Sequence, residues 1–495
     1  MFISNRVKTY FPHLLIAALA AVSILLPGRT TEIIQGFSQW FLRNFDGLTL
    51  GIATGSVLIC VIAAAGPWGR LRLGGADAKP EFSTISWLAM LFAAGMGAGL
   101  VVWGAAEPLI FTVVPPPGQA SPETAAAIAD AYALTMFHWA FHAWAIYGIS
   151  ALSIGYMAYA NNTAPLPSVP FQALPLPLRR LIDWASLFAV TFGIVASLGQ
   201  GAINMGAGID RIFGPGSDGI GTQVLLLLCL LAVYMVSAWN GLKGGIEPLS
   251  NFNMVLALCL MVFVLVAGPT LQLFGDMAAM GTAYLGQFMQ LSAELRPEGE
   301  ARDWTRAWSL TYFLWWIAWT PFVGVFIARI SRGRTIRAFL IGVVFIPSVL
   351  TLFWFAIFGG AAIDVQLTDN VDLGISDFST APSATYVLME QFPLTVLMQI
   401  ATFLLMFTFL VTSADSGSYV MAVFSSQRSA RPPRGERIFW GVILAALTIG
   451  AIASAEGQNA TRALAVVGAI PLAFLIIAQI FFAGLRIVQD WRASR

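Results

Sequence analysis

The chain has 495 residues, of which 58% are hydrophobic and only 10% are charged. Soluble proteins carry about 25% charged residues, so this composition and the mean hydropathy of +0.78 predict an all-α integral membrane protein. The net charge of +1 comes without a basic stripe, and we therefore expect no nucleic-acid partner. The three cysteines lack the spacing of a disulfide framework or a zinc site.

Twelve apolar runs are long enough to cross the hydrocarbon core as helices, which takes about 20 residues each. They predict a polytopic protein embedded in membrane lipid, with 12 transmembrane helices at residues 11–27, 47–66, 84–106, 131–159, 184–208, 222–240, 250–272, 308–329, 337–362, 392–424, 437–453 and 462–486. An even number places both termini on one side, and that side carries 19 of the 26 Lys and Arg residues. Because cytoplasmic loops are the basic ones, we expect both termini in the cytoplasm and a plasma (inner) membrane location.

The third span contains glycines at alternate positions, Gly95, Gly97 and Gly99. Each glycine costs a helix about 1 kcal/mol relative to alanine, so this stretch is expected to be unwound. Gly95 and Gly99 equally fit close helix packing through a G-x-x-x-G pair, and the local sequence does not separate the two. Glu107 follows at the outer end of this span, where we favour a capping role over a gating role.

The fourth span carries Trp139, Trp144 and Tyr147. Trp144 and Tyr147 lie one helical turn apart, so this helix has a ring-rich face. Aromatic faces attract a quaternary ammonium group, which has no N–H to donate, and the cluster therefore predicts a site for such a cation. The alternative is packing or an interfacial belt. His138 and His142 share one face without further ligands, so we expect no metal there, while a proton relay stays open.

The eighth span carries a second cluster, Trp315, Trp316 and Trp319, followed by Pro321 and Gly324. We expect the proline and the glycine to interrupt this helix. Interruptions in corresponding helices of two halves are typical of inverted-repeat transporters, in which unwound backbone lines a site at the membrane midplane. The chain then divides into two leading helices (1–82), a first five-helix repeat (83–273), an amphipathic outer-surface helix (274–306) and a second five-helix repeat (307–495).

The tenth span contains Thr412, Ser413 and Asp415, whose oxygens suit a small hard cation. The alternative is that the hydroxyls bond back to their own helix. The outer loop before this span is either an acidic vestibule for cations or, as we favour, a solvated loop; its acidic residues are Asp364, Asp369, Asp372 and Asp377. Neither an H-E-x-x-H nor a G-x-S-x-G motif is present, and we expect no enzymatic activity.

Five blocks of the sequence, in order, resemble the signature blocks of the betaine/choline/carnitine transporter family. The blocks are GMGAGLVVWGAAEPL, HWAFHAWAIY, GGIEPLSNFNM, WWIAWTPFVGVFIARISRGRTIRAF and TSADSGS, and the resemblance runs over residues 85–485. It implies a leucine-transporter-like core of two inverted five-helix repeats, secondary transport of trimethylammonium compounds and a homotrimer.

Matched block by block, the resemblance also implies a set of site residues. The substrate-binding aromatic box would be Trp139, Trp144, Tyr147 and Trp316, with Trp315 and Trp319 on the access path or in an alternate binding state. The sodium site would use backbone oxygens near Ala93, Met96 and Phe409 and the hydroxyls of Thr412 and Ser413, with Met96 also near the substrate.

Three departures from the family pattern refine these expectations. The tails are short, which argues against the regulation found in family members with long charged tails. The stretch around Gly99 lacks the acid that proton-coupled choline carriers tend to place there. Val190 and Ile194 stand where hydroxyls would bind a second sodium, so we do not expect a second ion.

We therefore predict a sodium-coupled importer of a small quaternary-ammonium substrate such as glycine betaine, carnitine or choline. Sodium would be the coupling ion, and no cofactor is expected. A sodium-independent exchanger of trimethylammonium compounds is the alternative within the transporter class, and an ion channel is the alternative from a different class.

Overall fold

The computed structural model describes residues 5–95, 97–241, 247–426, 433–454 and 456–493. Within these ranges the regular structure is helical, apart from one isolated bridge between Arg72 and Thr335, which confirms the all-α prediction. The helices are α1 (Asn5–Leu25), α2 (Pro27–Asn44), α3 (Asp46–Ala65), α4 (Thr84–Gly95), α5 (Ala98–Val113), α6 (Ala125–Trp139), α7 (Phe141–Ala160), α8 (Leu176–Phe213), α9 (Ile220–Gly241), α10 (Glu247–Ala267), α11 (Thr270–Ala293), α12 (Glu300–Thr305), α13 (Thr311–Ile330), α14 (Ile336–Leu340), α15 (Ile346–Leu367), α16 (Ala384–Glu390), α17 (Thr395–Ser426), α18 (Arg434–Ile452) and α19 (Gly457–Ala493).

Eight helical stretches in the described ranges are long and apolar enough to cross a membrane. A ninth candidate is the pair formed by α1 and α2, which meet at an angle of 117°. Pro27 begins α2, at a helix position where the missing N–H leaves no hydrogen bond unmade. The protein is therefore a multi-pass membrane protein. The count of 12 spans stays a prediction, because α5 and the apolar part of α9 are shorter than a full span.

The predicted fourth span is two helices. α6 ends at Trp139, α7 begins at Phe141, and Ala140 between them has φ −101° and ψ −121°. The backbone hydrogen bonds on either side are kept, from Ala140 N to Met136 O at 2.9 Å and from Trp144 N to Ala140 O at 3.1 Å. Because of the break, the Trp139 side chain does not share a helix face with Trp144 and Tyr147, which lie on α7.

The predicted interruption at Pro321 and Gly324 is wrong, because α13 continues through both residues. Pro321 has no N–H for the carbonyl of Ile317, but the Thr320 hydroxyl donates to that carbonyl at 2.7 Å, which removes the main cost of a proline inside a membrane helix. At Gly324, a Cβ would lie 3.2 Å from the Ser150 Oγ on α7, so the glycine serves close helix packing instead of unwinding.

The irregular turn of this span lies earlier. Residues Arg306–Leu310 form a π turn between α12 and α13. The whole run Glu300–Ile330 is one helical stretch that is long and apolar enough to cross a membrane. The polar end of the predicted surface helix (274–306) is therefore continuous with the apolar run that begins at Glu300, while α11 ends at Ala293; the surface location of this segment stays a prediction. Its charges are paired: Arg302 and Arg306 contact Asp46 Oδ2 at 3.0 and 2.8 Å.

Candidate functional site

A cavity of about 70 Å³ lies where the junction of α4 and α5 meets α6, α8, α13 and α17. One part of its wall is aromatic and consists of Trp103, Trp139, Tyr312, Trp315, Trp316 and Trp319. The rest is formed by small and polar residues, among them Gly95, Gly97, Gly99, Ser197, Gln200, Asn204 and Ser413. None of the described lining residues is acidic or basic.

The glycine stretch forms the junction between α4 and α5. α4 ends at Gly95, Gly97 is extended (φ −110°, ψ −163°), and α5 begins at Ala98. Gly99, predicted to be unwound, is helical. Its missing side chain has a packing role, since a Cβ there would lie 3.4 Å from the Trp139 ring. Met96 lies outside the described residues, and Ala93 is a helical residue of α4.

Three rings form a contiguous cluster on the cavity wall. Trp139 and Trp316 meet edge to face with centroids 5.1 Å apart, and Tyr312 stacks on Trp316 at 6.2 Å and meets Trp139 at 5.4 Å. Trp315 and Trp319 line the same cavity. Tyr312 was missed at the sequence level, although it precedes Trp316 by four residues and therefore shares its helix face.

Trp144 and Tyr147 are not among the residues that line this cavity. The Trp144 indole is fully buried against Gly95, where a Cβ would overlap with it. The Tyr147 ring meets Trp144 at 6.0 Å and Trp316 at 6.1 Å. The structure thus brings Trp139, Trp315, Trp316 and Trp319 to the cavity and places the other two predicted box residues behind Trp316 and beneath the helix junction.

Glu107 holds the ring cluster from behind. It is 0% exposed, and its Oε2 accepts hydrogen bonds from Trp139 Nε1 at 2.8 Å and from the Tyr312 hydroxyl at 2.6 Å. Its Oε1 lies 2.6 Å from His138 Nδ1, and His138 Nε2 lies 2.8 Å from Ser309 Oγ. The capping role expected for Glu107 is therefore wrong: the carboxyl group joins α5, α6 and α13 in one network because three buried polar groups converge on it.

The other indole of the cluster is fixed as well. Trp316 Nε1 donates to the backbone oxygen of His138 at 2.8 Å, so both α6 and α13 determine where this ring lies. His142 faces away from this network, with its Nε2 3.1 Å from Ser292 Oγ. In the described part of the chain no group of three or more His, Cys, Asp or Glu could hold a metal ion.

The predicted ion ligands on α17 lie beside the helix junction. Ser413 lines the cavity, and a Cβ on Gly97 would lie 3.9 Å from its Oγ. The Thr412 hydroxyl donates to its own helix at Phe409 O (2.9 Å), as the alternative interpretation has it. Its oxygen accepts from Asn253 Nδ2 at 3.5 Å, which leaves one lone pair for a cation. Asp415 is buried and pairs with Arg437 at 2.6 Å, so its carboxylate serves an ion pair between α17 and α18.

The loop between α15 and α16 covers the aromatic side. The Phe378 ring lies 5.0 Å from Trp103 and 5.9 Å from Trp308, and the Arg462 guanidinium lies 4.0 Å from its centroid. The loop is shaped by Asp377, which accepts from Ser379 and Thr380; the hydrogen bond from the Ser379 side chain and those from the neighbouring backbone lower the pKa of this carboxyl. Asp364, which was expected in this loop, is instead a buried residue of α15.

Comparison with known proteins identifies the family of the chain. The family model described as betaine/carnitine/choline family transporter matches residues 8–491. The chain belongs to the betaine/carnitine/choline transporter family. As members of that family are transporters, the protein is a transporter and not an enzyme.

Relatives within the family cover most of the chain. The glycine betaine transporter OpuD of Bacillus subtilis is 37% identical over 471 residues, which are 94% of this chain and 91% of the relative. Glycine betaine transporter 1 of Vibrio parahaemolyticus is 34% identical over 94% of this chain and 90% of its own length. An ectoine/hydroxyectoine transporter of Virgibacillus pantothenticus is 31% identical over 96% of this chain and 94% of its own length.

Proposed function

We propose that this betaine/carnitine/choline family transporter is a sodium-coupled importer of a trimethylammonium solute such as glycine betaine, carnitine or choline. The observation that carries the proposal is the uncharged, ring-lined cavity at Trp139, Tyr312 and Trp316. A quaternary ammonium group cannot donate a hydrogen bond, and the negative faces of aromatic rings bind it without a counter-ion. Transport of glycine betaine by two of the relatives supports the substrate class.

The ring cluster sets the scale of affinity. Each ring contributes about 2 kcal/mol when desolvated. Two or three rings therefore give roughly 4–6 kcal/mol, which corresponds to a dissociation constant in the millimolar to sub-millimolar range. Immobilising the solute lowers this gain. Tighter binding therefore needs polar contacts to the other end of the solute, in addition to the rings.

Substitution of Trp316 tests the proposal. Trp316→Leu keeps an apolar side chain but removes the ring quadrupole, so glycine betaine binding by the purified protein is expected to be lost, while Trp316→Phe retains part of it. The matched control is Trp440→Leu, because Trp440 is equally buried in α18 and lies outside the cavity lining. Unchanged glycine betaine affinity in Trp316→Leu, measured by calorimetry, would refute the proposed site.

We propose that sodium binds at the junction of α4 and α5. The ligands would be backbone oxygens near Ala93, Met96 and Phe409 and the hydroxyls of Thr412 and Ser413, a set of oxygen donors that suits a hard cation. Each sodium that moves inward gains about 2.3 kcal/mol per 100 mV of membrane potential. Thr412→Ala combined with Ser413→Ala is expected to abolish the sodium stimulation of uptake, with Thr408→Ala as the matched control because its hydroxyl bonds only to its own helix.

Uptake into proteoliposomes separates import from exchange. A sodium-coupled importer accumulates glycine betaine when a sodium gradient is imposed on empty vesicles. An exchanger ignores that gradient and requires internal solute, and a channel gives a current that does not saturate with solute. Either of these last two results would overturn the sodium-coupled mechanism.

We also propose the architecture that the family resemblance implies. It comprises 12 spans with both termini in the cytoplasm of a plasma (inner) membrane, a core of two inverted five-helix repeats and assembly as a homotrimer. The interruption at Pro321 and Gly324 no longer supports the repeats, since α13 is continuous there. Cysteine accessibility at both termini and the mass of the detergent-solubilised complex test the orientation and the trimer.

A further inference from the structure

The cavity has a polar wall on α8 that the proposed aromatic site does not use. Gln200 and Asn204 lie one helical turn apart and both line the cavity. They are 5% and 1% exposed, and Gln200 Nε2 donates to Asn204 Oδ1 at 3.0 Å. The two amides therefore form one hydrogen-bonded pair on the same face of α8.

One atom of this pair has no protein partner. Gln200 Oε1 is buried and accepts no hydrogen bond from any described residue. The indole nitrogens of Trp139 and Trp316 are satisfied by Glu107 and His138, whereas Trp319 Nε1 is the second lining atom without a partner. Leaving a buried polar group unpaired is costly, so an unmet acceptor and an unmet donor on a cavity wall point to a ligand that supplies the missing bonds.

The chemistry of an amide determines what that ligand end can be. A glutamine side chain presents one acceptor and two donors, and rotating it by half a turn exchanges them. With Asn204 reoriented to match, the pair presents either an oxygen to a hydroxyl group or an N–H to a carboxylate. Because neither amide is charged, the pair discriminates between solute tails through hydrogen bonds and not through net charge.

We propose that Gln200, held by Asn204, binds the polar end of the transported solute, opposite its trimethylammonium group. This inference rests on the proposed function and deepens it. The substrate class becomes trimethylammonium solutes with a hydrogen-bonding tail, whether a carboxylate or a hydroxyl. Tetramethylammonium, which carries the same cationic head without a tail, gains nothing from this pair.

The test compares three probes by calorimetry on the purified full-length protein: glycine betaine, choline and tetramethylammonium. In Gln200→Met, which has a similar shape and no amide, we expect the affinities for glycine betaine and choline to fall at least tenfold and that for tetramethylammonium to stay within twofold. The matched control is Gln479→Met. Gln479 is a buried glutamine of α19 that lies outside the cavity lining and donates to Pro167 O at 3.0 Å, so the same substitution there should leave the ratios among the three affinities unchanged.

A second variant separates the two tail types. In Gln200→Glu the carboxylate repels the tail of glycine betaine and accepts from the hydroxyl of choline, so only glycine betaine should lose affinity. Equal losses for all three probes in Gln200→Met, or no loss for any of them, would overturn the inference while leaving the aromatic site in place. If the wild-type protein bound none of the three probes, the proposed function itself would fail.

Discussion

Removing the carboxyl group of Glu107 should release the rings that face the cavity. In Glu107→Leu, three buried polar groups lose their partner: Trp139 Nε1, the Tyr312 hydroxyl and His138 Nδ1. Each unsatisfied group costs about 1–3 kcal/mol, so the folded state should lose roughly 3–9 kcal/mol, enough to unfold a marginal membrane protein.

Glu107→Gln is the more informative change, because the amide keeps the shape and can hold all three partners. A hydrogen bond of this kind contributes about 1 kcal/mol, so the three bonds together stabilise the network by roughly 3 kcal/mol. If one ring of the cluster loses its fixed position, about 2 kcal/mol of cation–π energy is lost, which is about 30-fold in affinity.

The assay pairs glycine betaine calorimetry with thermal unfolding in detergent. The matched control is Glu390→Gln, since Glu390 is partly exposed and contacts Arg211 and Gln399 far from the rings; it should change neither quantity by much. Wild-type affinity and wild-type melting temperature in Glu107→Leu, which can hold none of the three partners, would show that the network does not position the rings.

Three further changes probe other contacts. Gly95→Ala adds a Cβ that overlaps with the Trp144 indole and should weaken glycine betaine binding at least tenfold, whereas Gly55→Ala, with no atom within 4 Å of the added carbon, should leave binding and melting temperature unchanged or slightly raise the latter. Asp415→Ala removes one member of the buried ion pair with Arg437 and should lower the melting temperature more than Glu81→Ala, which removes an exposed pair with Arg332 and should cost less than about 1 kcal/mol; equal melting temperatures would contradict this. Since the folded-state pKa of Asp377 is lowered, its contribution to its loop is present above the unfolded pKa of about 3.9 and is lost as the pH falls through the folded value. The protection factors for amide exchange in residues 376–380, which correct for the pH dependence of the intrinsic rate, should therefore fall on acidification in the wild type and be low at every pH in Asp377→Ala.

The sequence predicted part of the cavity wall. Trp139, Trp315, Trp316 and Trp319 were identifiable as candidates because several large rings in deep apolar segments are unusual. The alternate glycines of span 3 fitted either an unwound stretch or close helix packing, and the structure places a junction between Gly95 and Ala98.

What the sequence could not predict depends on contacts between distant helices. A proline such as Pro321 usually interrupts a helix because it leaves a carbonyl without its N–H donor. Here the hydroxyl of Thr320 donates to that carbonyl, which belongs to Ile317. The break at Ala140 has no local signal, since alanine favours helix. Glu107 resembles a cap because its partners lie 31 and 205 residues away, and only the packed fold brings them within hydrogen-bonding distance.

The Trp144 indole packs directly on Gly95, so the end of α4 is in contact with the rings behind the cavity. Gly97, two residues further along the chain, faces the Ser413 hydroxyl on α17. The Trp144 ring meets Tyr147, and the Tyr147 ring meets Trp316, so direct ring contacts connect this junction to the cavity wall. If a cation at the junction strengthens the binding of a solute at Trp316, thermodynamic reciprocity requires that the solute strengthen the binding of the cation by the same factor, and the two would then be coupled with no charged residue among the connecting rings.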